Sequence, residues 1–296
     1  MHQLLPYIPQ QLTKILGDLG FFMPEVYLAF LFLLVLATDL IFGKNSEKLC
    51  RTVAYAGMVV ILFKDLQQVA LILKEPRFLF SGMLLLNYKI IAFKFIIDVL
   101  AFVLLLYFRW DERLKAHSKG LSDLYTITIG SIFGLHLMVM AVNLLSVYLA
   151  IEMVSIASYL MVAYRSENAF STEAGLKYVL FGAASSAMML YGISLLYGFS
   201  GSLNFYPTDA NLYSIEALKS LVLVNPLGIT LAIILVLIGI GFKLSFVPLH
   251  FWVPDVYQGA PTPVTAYLST LPKIAAFGLL VNFLSPFIFL INVSAF

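Results

Sequence analysis

The chain has 296 residues, of which 61% are hydrophobic and only 11% charged, against roughly 25% charged in a soluble globular domain. That composition excludes a soluble domain, and a formal net charge of +2 without any basic cluster gives nucleic acid nothing to bind. One cysteine, Cys50, precludes an internal disulfide, and no CxxC pair, His/Cys cluster, haem-attachment pattern or glycine-rich nucleotide loop occurs.

Several apolar runs exceed the ~18 residues that signal a membrane helix, so the expected class is all-α, a polytopic transmembrane helix bundle in the lipid bilayer. Residues 1–20 are mixed and predict a surface segment; they lack the basic-then-apolar layout of a cleaved signal. The first span covers about Phe21–Phe42. The second, about Val53–Leu73, is interrupted by Lys64, Asp65, Gln67 and Gln68. The third, about Ile90–Phe108, carries Lys94 and Asp98, whose i,i+4 spacing predicts a self-neutralising pair on one helix face. Spans over about Leu124–Leu144 and Leu145–Tyr164 follow with almost no loop between them, and a sixth covers Gly175–Gly198. After a polar loop with a short amphipathic piece near Ile215–Val224, the seventh span runs over about Leu227–Val247 and the eighth over Val264–Leu284. Another apolar run begins after Pro286 and stops at Phe296, too short to cross, so the sequence reads as a fragment that ends inside a ninth helix. Lys44, Lys48, Arg51, Arg109, Arg113, Lys115 and Lys119 sit in two short loops on one side, which places those loops in the cytoplasm and the N-terminus outside.

The stretch GIGFKLSFVPLHFWVPDVYQGAPTPVTAYLSTLPK, 239–273, departs most from an ordinary membrane helix. Lys243 stands where no lipid-facing helix keeps a charge, and Pro248 removes the N–H that the Leu244 carbonyl needs, so the seventh helix is discontinuous. Freed backbone at membrane depth is tolerated only against protein or a wet cavity. Glu152, Lys177 and Lys273 also lie in otherwise apolar spans, joined by His136 and His250. Isolated ions in hydrocarbon cost several kcal/mol, so such groups pair or become neutral. An amine held out of water can exchange protons near neutral pH, which is the chemistry of a relay. The blander alternative is an architectural salt bridge; three lysines and a glutamate spread over four consecutive helices favour transport. His136 fits a core histidine bonded to a neighbouring helix, and the small residues of GAASSA, 182–187, fit close helix packing.

GFKLSFVPLHFWVPDVYQGAPTPVTAYLSTLPKIAAF (241–277), LAIEMVSIASYLMVAY (149–164) and EAGLKYVLFGAASSAMMLYG (173–192) resemble the antiporter-like, proton-translocating membrane subunits of respiratory complex I, the NADH-quinone oxidoreductase. VYQGAP and a lysine at position 273 point to the subunit N branch, and the chain resembles its N-terminal part. The resemblance implies three leading helices over 1–122, a first inverted repeat with a proton-translocating function over 123–285, and the start of a truncated ninth helix over 286–296. It implies proton-translocating roles for Glu152, Lys177, Lys243, His250 and Lys273. It also implies a subunit of a translocase that holds no cofactor or metal of its own, in a complex that uses NADH and a quinone. The implied partners are other membrane subunits, and the implied location is the bacterial inner membrane. A cation/proton antiporter subunit and a non-conducting scaffold subunit remain alternatives.

Overall fold

The computed structural model describes residues 8–43, 46–71, 76–111, 114, 120–165, 167–207, 214–215 and 225–287. The ninth helix expected beyond Phe287, the amphipathic piece over 216–224 and the basic loop positions 44, 113, 115 and 119 lie outside those residues. Among the described residues the elements are α1 (Ile8–Leu19), α2 (Met23–Phe42), α3 (Glu47–Leu71), β1 (Arg77–Leu79), β2 (Leu84–Leu86), α4 (Tyr88–Phe108), α5 (Ser122–Met140), α6 (Leu144–Val162), α7 (Ala169–Ser200), α8 (Pro226–Leu244), α9 (Val253–Gly259) and α10 (Thr262–Leu284), with a 3-10 turn at Ser285–Phe287.

Hydrocarbon offers the backbone no hydrogen bonds, so apolar runs of this length close their own as helices. Asparagine starts four of them. Asn87, Asn143, Asn168 and Asn225 accept from the backbone N–H of Ile90, Leu145, Phe170 and Gly228 and so cap α4, α6, α7 and α8. Among the described residues, seven helices are long and apolar enough to cross a membrane: α2, α4, α5, α6, α7, α8 and α10 with its 3-10 turn. The chain is thus a multi-pass membrane protein. α3 is helical over 25 residues, but the polar residues noted in its sequence keep it off that measure; Asp65 and Gln68 point into the bundle.

α5 is the hub. It packs on α2, α3, α4, α6 and α10 and buries most of its length, whereas α2 turns Phe30, Leu33, Leu40 and Ile41 outward. α7 lies between α6 and α8 and also carries α9, and α10 closes the bundle against α4, α5 and α8.

One feature was illegible as a strand: residues 77–86 form an antiparallel hairpin with Arg77 opposite Leu86. Its turn passes through three residues of positive φ, Phe80, Ser81 and Gly82, and the Phe80 N–H is held by Asp18 Oδ2 at 2.8 Å. The extended link 141–143 joins this layer. Val142 donates to Met83 O at 3.2 Å, Phe205 donates to Val142 O at 3.0 Å, and Leu144 donates to Leu203 O at 2.9 Å. α5 and α6 can therefore follow each other without a loop of their own, because neighbouring segments satisfy the backbone between them.

α7 and α8 approach closely at Gly192, where a Cβ would stand 2.8 Å from both Ala232 O and Val236 N. Backbone atoms cannot step aside as a side-chain tip can. Gly192→Leu is expected to part the two helices and cost about 1–3 kcal/mol, read as a lower thermal unfolding midpoint of the detergent-purified protein. Gly198→Ala on the same helix meets nothing within 4 Å and should be neutral or stabilising by up to about 1 kcal/mol.

Candidate functional site

α8 ends in a closed cap. Ser245 takes a left-handed conformation with φ 59, its N–H bonds Phe242 O at 3.2 Å, and the Phe246 N–H reaches back to Gly241 O at 2.9 Å. This pair of bonds is a Schellman motif, with serine where glycine is usual. Residues 246–252 then run without regular helix until α9 begins at Val253. The discontinuity expected from Pro248 is present.

Lys243 lies in the last turn of α8, where the helix dipole favours a cation. It is 3% exposed, and its Nζ has no hydrogen-bond partner among the described residues. Its Nζ faces two rings, Tyr159 of α6 at 5.8 Å and Tyr178 of α7 at 5.7 Å. Cation–π attraction supplies part of what a carboxylate would. Gly182 is what admits the Tyr159 ring, since any Cβ there would collide with the phenol hydroxyl.

Glu152, half-buried on α6, accepts from Ser186 Oγ of α7. Glu152 and Lys243 are close enough for each to feel the other's charge, yet they form no ion pair. The carboxylate is held by a hydroxyl, and the ammonium sits between rings. GAASSA is therefore more than a packing surface: Gly182 makes room for Tyr159, and Ser186 holds Glu152.

Lys177 departs from a buried relay position. Its side chain is 38% exposed and bridges Glu173 at 2.8 Å and Asp255 at 2.6 Å, so it ties α7 to α9 across the far side of the break. Lys273 follows Pro272 inside α10 and stands 5.7 Å from the Tyr257 ring centroid. Rings connect Lys243 and Lys273. Tyr178 stacks on Trp252 at 4.6 Å, and Trp252 meets Tyr257 edge-on at 6.1 Å. His250 lies on the crossing segment and stacks on Phe251. Besides Lys243, the buried Nδ1 of His250, Nε1 of Trp252, Oγ of Ser245 and hydroxyl of Tyr257 lack hydrogen-bond partners among the described residues. Buried polar atoms are rarely left so, and this segment concentrates them.

The sequence reading missed a second polar assembly. Glu25 of α2, Asp65 and Gln68 of α3, Lys94 and Asp98 of α4 and His136 of α5 are all buried together. The expected Lys94–Asp98 pair is not what forms. Lys94 Nζ contacts Glu25 Oε1 at 2.5 Å, Gln68 Oε1 at 2.6 Å and Asp65 Oδ1 at 3.4 Å, while Asp98 Oδ1 lies 2.9 Å from His136 Nε2. Neighbouring helices offer better partners than the same helix face, because α4 presents that face to α2, α3 and α5. His136 is the interhelical core histidine its position predicts. The apolar spans with single charges in them carried the signal; which faces meet was invisible. A cavity of about 470 Å³ among α2, α5 and α6 is apolar throughout and holds none of these groups.

Residues 141–296 match the family described as NADH:quinone oxidoreductase/Mrp antiporter, TM. NADH-quinone oxidoreductase subunit N 2 of Chloroherpeton thalassium is 36% identical over 263 residues, 88% of this chain and 49% of that protein. The chain spans about half the length of the curated relatives it matches. A chain of respiratory complex I from Thermus thermophilus with bound aureothin aligns with a TM-score of 0.68 at 27% identity, covering 88% of this chain and 52% of the other. A chain of the Mrp complex from Dietzia sp. aligns with a TM-score of 0.70 over 88% of this chain and 48% of the other. Its 18% identity makes that a likeness of fold.

The left-handed Ser245 sets up a backbone test at the break. Ser245→Gly relieves the side-chain penalty and should raise stability by about 0.5–1 kcal/mol. Ser245→Val should lower it by about 1–2 kcal/mol, since a β-branched residue resists that conformation. Both are read from thermal unfolding midpoints in detergent.

Proposed function

The chain belongs to the NADH:quinone oxidoreductase/Mrp antiporter transmembrane family, and within it we propose that this is a subunit N-type membrane subunit of a NADH-quinone oxidoreductase that translocates protons. Electron transfer from NADH to quinone takes place on other subunits of the complex; this chain contributes the proton path. Residues 1–122 supply leading helices, and 123–285 form the translocating repeat, in a bacterial inner membrane with the N-terminus outside and other membrane subunits alongside.

The observation that carries the reading is Lys243: a buried ammonium at the end of a broken helix, held by no carboxylate and within electrostatic reach of Glu152. A buried ion locked in a salt bridge stays charged and serves architecture. One facing only rings and unpartnered polar atoms is free to change its proton occupancy when a neighbouring charge changes. At an effective dielectric of about 20, charges several ångströms apart interact by a few kcal/mol, and about 1.4 kcal/mol shifts a proton equilibrium tenfold. Glu152 and Lys243 thus form a coupled pair without touching. From Lys243 the proton moves along the break, past His250 and Tyr257, to Lys273. Lys177, latched to Asp255, holds α9 in place and adds positive charge beside the path. A cation/proton antiporter would use the same devices; the 36% identity to a subunit N protein, against likeness of fold alone to the Mrp chain, favours the respiratory reading.

Glu152→Gln and Lys243→Met should each impair proton pumping by the full-length protein in its native complex. In a double-mutant cycle the two should couple by about 0.5–3 kcal/mol, so the double variant loses much less than the sum. Additive losses, measured as proton flux per electron pair in membrane vesicles, would exclude the pair. Lys273→Ala should lower pumping while the complex still assembles, and Lys273→Arg should restore it only in part, because arginine does not release its proton. Full pumping by the arginine variant would reduce Lys273 to a fixed positive charge.

A further inference from the structure

We propose that the buried cluster of Glu25, Asp65, Lys94, Asp98 and His136 is a second proton-binding site, in which Asp65 and Asp98 share one proton. It joins α2, α3, α4 and α5, away from the break, and does not rest on translocation through Lys243.

Neither the charges nor the hydrogen-bond donors of this cluster balance if all three carboxyl groups are ionised. Both ring nitrogens of His136 face carboxylate oxygens, Nδ1 at 3.2 Å from Glu25 Oε1 and Nε2 at 2.9 Å from Asp98 Oδ1. A neutral imidazole has one N–H and would turn a lone pair toward one of those oxygens; an imidazolium satisfies both. His136 and Lys94 then supply two positive charges against the three carboxylates of Glu25, Asp65 and Asp98. One negative charge is left over, in side chains that are 0% exposed, where an uncompensated ion is least tolerated.

The orphaned atoms say where the compensation belongs. Asp98 Oδ2 and both oxygens of Asp65 make no hydrogen bond among the described residues, the Lys94 ammonium at 3.4 Å from Asp65 Oδ1 being an ion-pair contact only, and the two carboxyl groups bring oxygens within 4.8 Å of each other. Two buried carboxylates this close repel each other, which favours protonation of one of them. A proton on Asp65, donated to Asp98 Oδ2, makes the cluster neutral and gives Asp98 Oδ2 and one Asp65 oxygen a partner at once. A metal ion suits the place less well. Asp65, Asp98 and His136 do set ligand-type atoms within 4.8 Å of one another, but neither imidazole nitrogen has a free lone pair to offer, and the Lys94 ammonium stands in the same cluster.

The test is infrared difference spectroscopy on the full-length protein purified from native membranes with whatever subunits accompany it. The parent should show the carbonyl-stretch band of a buried protonated carboxylic acid, and Asp65→Asn should lose that band while assembling at the parental level, since an amide replaces a neutral acid of the same shape. Lys94→Met, which strands the carboxylates, should lower the yield of assembled protein by more than about tenfold. A band unchanged in Asp65→Asn would overturn the proposal. So would an assembly defect in Asp65→Asn as severe as that of Lys94→Met, because Asp65 would then be a charged partner. A metal ion that co-purifies with the parent and is lost with Asp65→Asn would also overturn it.

Discussion

A helix that ends among other helices leaves carbonyls and a dipole to be dealt with where water is scarce, and the end of α8 is where this bundle meets that demand. The Schellman bonds at Ser245 take the carbonyls of Gly241 and Phe242, and the Lys243 ammonium lies at the negative end of the dipole. Much of the surrounding architecture follows from seating that amine. Tyr159 and Tyr178 flank it, Gly182 clears the way for one ring, and Trp252 beyond the break backs the other. A break without these walls would expose the freed backbone to lipid, which is not tolerated.

The ionisable groups divide into two kinds by their neighbours. In the α2–α5 cluster and at Lys177, opposite charges sit within 4 Å and pin the helices that carry them. At Lys243 and Lys273 the neighbours are rings. The first arrangement is strong and directional, and it fixes register; the second stabilises a cation moderately and leaves its hydrogen-bonding capacity open. On the proposed function, rigid pairs around the two ring-faced lysines would let proton occupancy change while the helices stay in place.

The strand layer at 77–86, 141–143 and 203–205 serves the same end by other means. It lets α6 follow α5 without a loop of its own, and α5 serves both sides of the bundle, packed against the leading helices through His136 and against α10 through the Ser131–Tyr267 hydrogen bond. The helices before residue 122 and those after it are thereby joined at α5 by hydrogen bonds as well as by apolar packing.

Helix positions, the break before Pro248, the close packing around Gly182 and the presence of a charge at Lys243 inside an apolar span were all legible in the sequence, because each depends on the residue and its near neighbours. Apolar length dictates a helix in lipid, proline removes a donor wherever it stands, and a charge in an apolar run is conspicuous without any partner. The hairpin was not legible: its turn places Phe80 and Ser81 at positive φ, a conformation their side chains do not announce. Nor were the partners of the charges. Lys94 and Asp98 are spaced to meet on one helix, yet each finds a better partner on another, and Glu25 gave no local sign of its role. Lys177, legible as a charge in an apolar span, proved to be bound to Asp255, 78 positions away in the chain. Which charge meets which is set by how helix faces come together, a property of packing among segments far apart in sequence, and only the tertiary structure decides it.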